Sequence, residues 1–406
     1  MGLNMLERRA LTHTVAVRYR TSTKTGKKQI LDEFCQSTGY HRKYAISLLT
    51  HEGTQRLLRV GGKTIKAQVR HKSRVRRVYP EIYDGAVRKV LVTLWEGFNY
   101  QCSKLLAPFL NHNIDAIAAS PDYPMDKSVR EKLRKISAST VERLLVKHKQ
   151  KTRIRGTSGT KAGRPLWKLV TVMTHFECAV QPPGFFQIDL VQHDGGDPAG
   201  EFCYTLTMTD VATGWTVHYP LKNKAHKWVR ESLENAQKTF IFPFHAIHSD
   251  SGSEFLNYAI VKWCTENAIT FTKGRTSRKN DNCWVEQKNS STVRKTAGLC
   301  RYCGDAAVEA LRSLYRPLDL LTNLFYPCMK LVSKERIGPA YRRRYDKARP
   351  PFQRLLERSD VPAEYKSAVL AMKNTTDLLE QQALMNQAID TLMRIADTPN
   401  RGSHPS

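Results

Sequence analysis

The chain has 406 residues, 41% of them hydrophobic, and carries 65 lysines and arginines against 37 acids, a net charge of +28. That length exceeds one small domain, and the apolar content suffices for at least one sizeable core. The charge draws polyanions, nucleic acid first among them, and no run of about 18 apolar residues is present to span a bilayer, which argues against a membrane protein.

The opening MGLNMLERRALTHTVAVRYR lacks the apolar stretch and small-residue cleavage site of a secretory signal, so a cytoplasmic protein is expected. Next comes KKQILDEFCQSTGYHRKYAISLL, where Ile30, Leu31 and Phe34, then Tyr44, Ala45 and Leu48, mark two short apolar faces separated by Ser37 to Tyr40. This spacing suits a helix-turn-helix whose second helix starts near Tyr40 and presents His41, Arg42 and Lys43 to DNA, or an ordinary helical hairpin. The stretch from Lys63 to Arg77 is dense in lysine and arginine and reads as a connector that follows a phosphate backbone.

A second helical region runs from about Glu81 to Lys149, with Leu91, Leu94 and Trp95 on one buried face and Leu105, Leu106, Phe109 and Leu110 on another. Its end, SVREKLRKISASTVERLLVKHK, repeats helix, turn and helix, with Ser137 or Ser139 as N-cap and Thr140 and Arg143 facing outward. Residues 147–164, rich in charge, Gly, Ser and Thr, have the composition of a basic linker. The expected divisions are a helix-turn-helix domain over 1–75, a second helical domain with the linker over 76–164, a catalytic core over 165–328 and a basic helical region over 329–406.

From Gly184 the pattern turns to strands. FFQIDLVQ and FCYTLTMTDVATGWTVHYPL, the latter broken at Ala212 to Gly214, predict three antiparallel strands. Helix, strand, helix, strand and a long helix beginning near Asp281 follow, an order that predicts a mixed α/β sheet flanked by helices. In this reading Asp189 closes the first strand, Asp250 closes FHAIHSD, and Glu286 lies one turn into the last helix. Acids at the edge of an apolar strand are costly to desolvate, and two Mg²⁺ or Mn²⁺ ions would compensate them. Around Glu286 lie Arg278, Lys279, Lys288, Arg294 and Lys295, the cations that a phosphodiester substrate calls for. Taken singly, each acid also suits a turn or a solvated helix face. Asp210 ends a strand too and rivals Asp189. Asp194 and Asp197 read as turn residues, His193 as polar surface and Gly214-Trp215 as turn and core. The nine cysteines read as reduced thiols, and Cys300 and Cys303 lack the companions of a zinc site.

The segments IDLVQHDGG, TLTMTDVATGW, HSDSGSEF and KNDNCWVEQKN together resemble the catalytic core of the retroviral-integrase superfamily, specifically bacterial insertion-sequence transposases with an integrase-type core. In addition, 35 residues separate Asp250 from Glu286, the interval of that superfamily's Asp, Asp, Glu triad. The resemblance is strong over 184–300 and looser over the N-terminal helices and RRRYDKARPPFQRLL. It implies a ribonuclease-H-like fold and a metal-dependent polynucleotidyl transferase that binds element ends, cuts and transfers strands as a multimer, and associates with the bacterial nucleoid. Asp189, Asp250 and Glu286 would hold two divalent ions. Gly252, Glu254 and Phe255 would support the second ligand, Asn280 and Asn282 would cap the helix or touch DNA, and Lys288 and Asn289 would meet the terminal phosphates. A catalytically silent DNA-binding regulator that retains the fold and a ribonuclease-H-like nuclease are the competing readings.

After Pro327 a basic run with tyrosines and prolines reads as an arm along DNA, a bridge to another protomer or a solvated connector. Ser359 or Asp360 is expected to cap a helix with Pro362 in its first turn, followed by a helical pair and no β-barrel.

Overall fold

A computed structural model describes residues 3–53, 55–60, 63–68, 82–149, 170–240, 243–250, 252, 254, 255, 257–275, 279–337 and 340–396. The chain divides into two compact units, residues 1–80 and 81–406.

In the first unit α1 (Met5–Thr21), α2 (Lys24–Thr38) and α3 (Arg42–His51) close on a small core of Ala16, Tyr19, Ile30, Leu31, Phe34, Ala45 and Leu49. Helix α1 was not anticipated from the sequence: its apolar residues do not keep to one face, Met5, Leu6 and Val17 being exposed, and a capping box between Asn4 and Glu7 starts it. Gly39, at φ +70°, ends α2 in the left-handed region that glycine adopts without strain. Helix α3 begins at Arg42, two residues after the expected start, because Tyr40 packs edge-on against Tyr44 and belongs to the turn. An antiparallel hairpin of β1 (Gln55–Val60) and β2 (Lys63–Gln68) follows. The expected basic connector thus opens as a strand, and its remainder lies outside the described residues, as do residues 150–164 of the expected linker.

The second unit starts with α4 (Gly85–Gly97), α5 (Ser103–Ala118), α6 (Lys127–Arg134) and α7 (Ala138–Lys149). Leu91, Leu94, Trp95, Leu106, Phe109 and Leu110 are buried as the spacing predicts. Ser137 caps α7 by accepting from the Thr140 amide at 3.3 Å.

The α/β part comprises β3 (Thr171–Val172), α8 (His175–Ala179), β4 (Phe185–Gln192), β5 (Tyr204–Asp210), β6 (Thr216–Leu221), α9 (His226–Thr239), β7 (Ala246–Ser249), α10 (Tyr258–Glu266) and β8 (Thr270–Lys273). The sheet order is β3-β8-β7-β4-β5-β6. Strands β4, β5 and β6 form an antiparallel meander, and β7 and β8 add in parallel beside β4. This is the ribonuclease-H-like arrangement, with β3 as an extra edge strand too short to leave a periodic signal. Phe186 and Ile188 enter the main apolar core, Phe186 stacking on Phe240 and Phe244, whereas Gln187 and Asp189 point to the opposite face.

Past the sheet, a 3₁₀ turn (Lys279–Asn282), α11 (Cys283–Lys288), a π-helical turn (Asn289–Val293) and α12 (Arg294–Thr296) form the expected long helix, interrupted by its π turn. Helix α13 (Gly304–Leu324) packs on β6. The basic run after Pro327 is a hairpin, β9 (Leu331–Ile337) with β10 (Ala340–Tyr345), rather than a connector. Alternation along RRRY is masked by its uniform charge, and the strands are set by pairing. Then come α14 (Pro351–Leu356), α15 (Ala363–Thr375) and α16 (Leu378–Ile395), the last packing on α13. The cap of α15 is Pro362, because Asp360 is taken up in an ion pair with Arg358. Among the described residues no helix is long and apolar enough to cross a membrane.

Candidate active site

Asp189 lies inside β4, not at its end: Leu190, Val191 and Gln192 continue the pairing with β5. Parallel pairing of Gln187 with His248 sets Asp189 level with Asp250, the residue after β7. Asp250 accepts the Gly252 amide at 3.0 Å, closing the turn. A β-carbon on Gly252 would stand 2.7 Å from the Glu254 carboxyl carbon, so a larger residue there would push that carboxylate aside, and wholly buried Phe255 anchors the segment. Glu286 is exposed on α11.

Helix α11 is fastened to β4 at both ends. Buried Gln187 donates to the Asp281 carbonyl at 2.6 Å and accepts from the Trp284 amide at 3.1 Å, occupying backbone groups at the helix start. Asn282 holds the N-cap position of α11 as expected, but its buried side chain makes no capping hydrogen bond and donates instead to the Ile188 carbonyl at 3.2 Å. At the other end Asn289 donates to Asp189 Oδ2 at 2.7 Å, fixing the carboxylate together with the Leu190 amide at 2.9 Å on Oδ1. Asp189, Thr207 and His218 form one row across β4, β5 and β6. The π turn spans that row, since Thr292 Oγ1 lies 2.9 Å from His218 Nε2, and His218 Nδ1 meets Asp319 of α13 at 2.5 Å. The α4–α5 corner docks on the same turn through Asn99, which donates to the Ser291 carbonyl at 3.4 Å, and on α12 through Lys295, which donates to the Tyr100 carbonyl at 2.9 Å.

Burial, then the charge of Asp250, then those of Glu286 and Glu254, raise the Asp189 carboxyl well above the usual carboxylate range. Burial also raises Asp250. Asp250, Glu286 and Glu254 are therefore all close enough to act on the Asp189 carboxyl. Several carboxylate oxygens in one neighbourhood are the donors that suit a hard divalent cation. Among the described residues no three His, Cys, Asp or Glu side chains are gathered closely enough to hold an ion.

Asp210 has a different task. It is buried and accepts from the Gly184 amide at 2.8 Å, the Thr213 amide at 2.7 Å and the Thr213 hydroxyl, tying the β5–β6 turn to the start of β4. His193, expected on the surface, is wholly buried and hydrogen-bonded to Thr205; burial depresses its pKa to about 3.

The basic residues singled out from sequence do not all gather here. Lys288 is half-buried, with Cys328 and Arg354 as electrostatic neighbours; Arg294 neighbours Asp194 and Tyr315. Lys295 is engaged with the α4–α5 corner. Arg278 lies outside the described residues, and of Lys279 and Asn280 the backbone alone is described, in the 3₁₀ turn. Arg42, paired with Asp32, and Lys43 are exposed at the start of α3; Arg143 is exposed and Thr140 half-buried on α7.

The integrase core domain family matches residues 179–279, a span that includes Asp189 and Asp250 and ends before Glu286. The chain is also 34% identical over 354 residues, 87% of its own length and 96% of the relative's, to "Uncharacterized protein y4rM" of Sinorhizobium fredii (strain NBRC 101917 / NGR234). The chain belongs to the retroviral-integrase superfamily. Its integrase core carries a DNA-processing function of transposase or integrase type. The core's sheet supplies Asp189 and Asp250, and α11 adds Glu286 beyond the matched span. Gln187 and Asn289, which lock α11 to the core, were not assigned these tasks from sequence. A polar residue two positions before Asp189, on the same strand face, was the available signal for Gln187.

Proposed function

We propose that the protein is a DNA transposase that binds element ends and joins them to target DNA by metal-dependent strand cleavage and strand transfer, working as a homo-oligomer. The observation that carries this reading is the β4–β7 register that sets Asp189 level with Asp250, with α11 and its Glu286 tied to the same strand through Gln187 and Asn289. Asp189, Asp250 and Glu286 would hold two Mg²⁺ or Mn²⁺ ions, which when bound supply an activated water or DNA 3′-hydroxyl and stabilise the leaving oxygen in an in-line displacement at phosphorus. Asp189 is pre-oriented by Asn289 and the Leu190 amide, and Gln187 holds the helix that presents Glu286. Exposed Glu286 can turn toward its partners as the substrate arrives. Arg42, Lys43 and Arg143, exposed at the helix-turn-helix candidates, supply phosphate or base-edge contacts to double-stranded DNA.

The test is a joining assay with Mg²⁺ on duplexes that carry the DNA flanking the gene, beside scrambled duplexes. End-dependent joining into a target supports a transposase. Cutting that ignores end sequence would instead identify a nuclease, and binding without any cutting a silent regulator.

A further inference from the structure

We infer that the β9–β10 hairpin is a DNA-binding ribbon, seated between the phosphate rows of a duplex; the inference rests on the DNA-processing reading above. The hairpin carries Lys334, Arg336, Arg342, Arg343 and Arg344 against one acid, Glu335. Both strands are exposed along nearly their whole length, Tyr341 and Tyr345 included. Lys334 and Arg343 are direct cross-strand neighbours, a like-charge pairing that costs stability in an isolated hairpin, and two-stranded hairpins are marginal to begin with. Among the described residues no acid lies within ion-pair distance of Arg342, Arg343 or Arg344. Such an element keeps its charge for a polyanion.

The distribution of charge narrows the partner. Register places Lys334, Arg336 and Arg343 on one face of the ribbon and Arg342 and Arg344 on the other. A flat anionic surface engages one face, whereas a groove with phosphates on both walls engages two, and the major groove admits a two-stranded ribbon. Lys334 lies 4.6 Å from the Tyr341 ring centre, which stiffens one side without cancelling the charge.

The root of the ribbon is rigid. Lys330 donates from its backbone to Asp346 Oδ1 at 2.7 Å and from its ammonium to the Ala212 carbonyl at 2.8 Å. Buried Arg354 donates to Asp346 Oδ1 at 3.0 Å and to the Cys328 carbonyl at 2.7 Å. The arm is thereby aimed from the integrase core at little ordering cost on binding.

The experiment uses the full chain and a random-sequence DNA duplex, with affinity measured across a salt series. Wild type should lose affinity linearly in log-log form, and R342Q/R343Q/R344Q should show a slope shallower by about 2 to 3, one unit for each phosphate contact removed. R342K/R343K/R344K should keep the wild-type slope, which separates charge from a folding defect. An unchanged slope and affinity in the glutamine variant would overturn the ribbon while leaving the DNA reading intact. An unchanged slope with an altered sedimentation coefficient would assign the ribbon to a second copy of the chain and overturn it too. A flat response in wild type would remove the DNA reading and the ribbon with it.

Discussion

At the scale of single residues, Asp189 is the acid of the proposed triad whose carboxyl the fold raises well above its ordinary range. Its folded-state carboxyl binds a proton more tightly than the unfolded one, chiefly through burial and then through Asp250, Glu286 and Glu254. The folded state therefore holds the extra proton, and without metal, stability should fall as pH rises from the ordinary aspartate range through the raised value. Asp189→Asn should weaken that dependence, leaving the part due to Asp250, and raise the melting temperature at neutral pH by roughly 2 °C in chelator, while abolishing activity. Adding Mg²⁺ should stabilise wild type and leave the variant unmoved; differential scanning calorimetry reads all three. Asn289→Ala frees the carboxylate and should cost about 10- to 100-fold in activity. The acids were legible because their strand context and the 35-residue interval are linear features. Gln187 and Asn289 were harder, since each bonds to a partner about a hundred residues away and nothing local distinguishes them from surface amides.

Among the elements, the helical run from α11 to α12 matters most, because it lies across Asp189, Thr207 and His218. Its π turn lets Asn289 reach Asp189 while Thr292 meets His218, and such turns recur at functional sites. Thr292→Val keeps the shape and removes the hydroxyl next to His218. It should destabilise by about 1 kcal/mol in urea titration, and activity should fall further than stability, roughly tenfold or more. Gln187→Leu should act the same way from the sheet side, since it leaves the start of α11 untied. If both variants retained full turnover, the docking of this helix would be irrelevant to the site. The strand and helix order from β4 to α11 was legible in the alternation of residues 185–273. The π turn was not, because no composition marks it. The β9–β10 hairpin was hidden by a run of like charges, and β3 by its length.

At the scale of the whole molecule, a net charge of +28 and an integrase core describe a protein built to handle DNA. The helical layer α4 to α7 was foreseen, and its corner rests through Asn99 on the same π turn that holds Asn289, so the helices and the acids belong to one packed unit. Basic side chains were the least legible. Lysines beside Glu286 looked like phosphate ligands in sequence, yet Lys295 anchors a helix corner and Lys288 is half-buried, with Cys328 and Arg354 as its electrostatic neighbours. The most direct test is the rate at which element-end DNA is joined to a target in Mg²⁺ by wild type and by Glu286→Gln. Joining by wild type that is lost in the variant and in chelator is the predicted result, with both proteins folded and binding DNA alike. Equal rates in the two proteins would contradict the assignment of Glu286, and with it the triad.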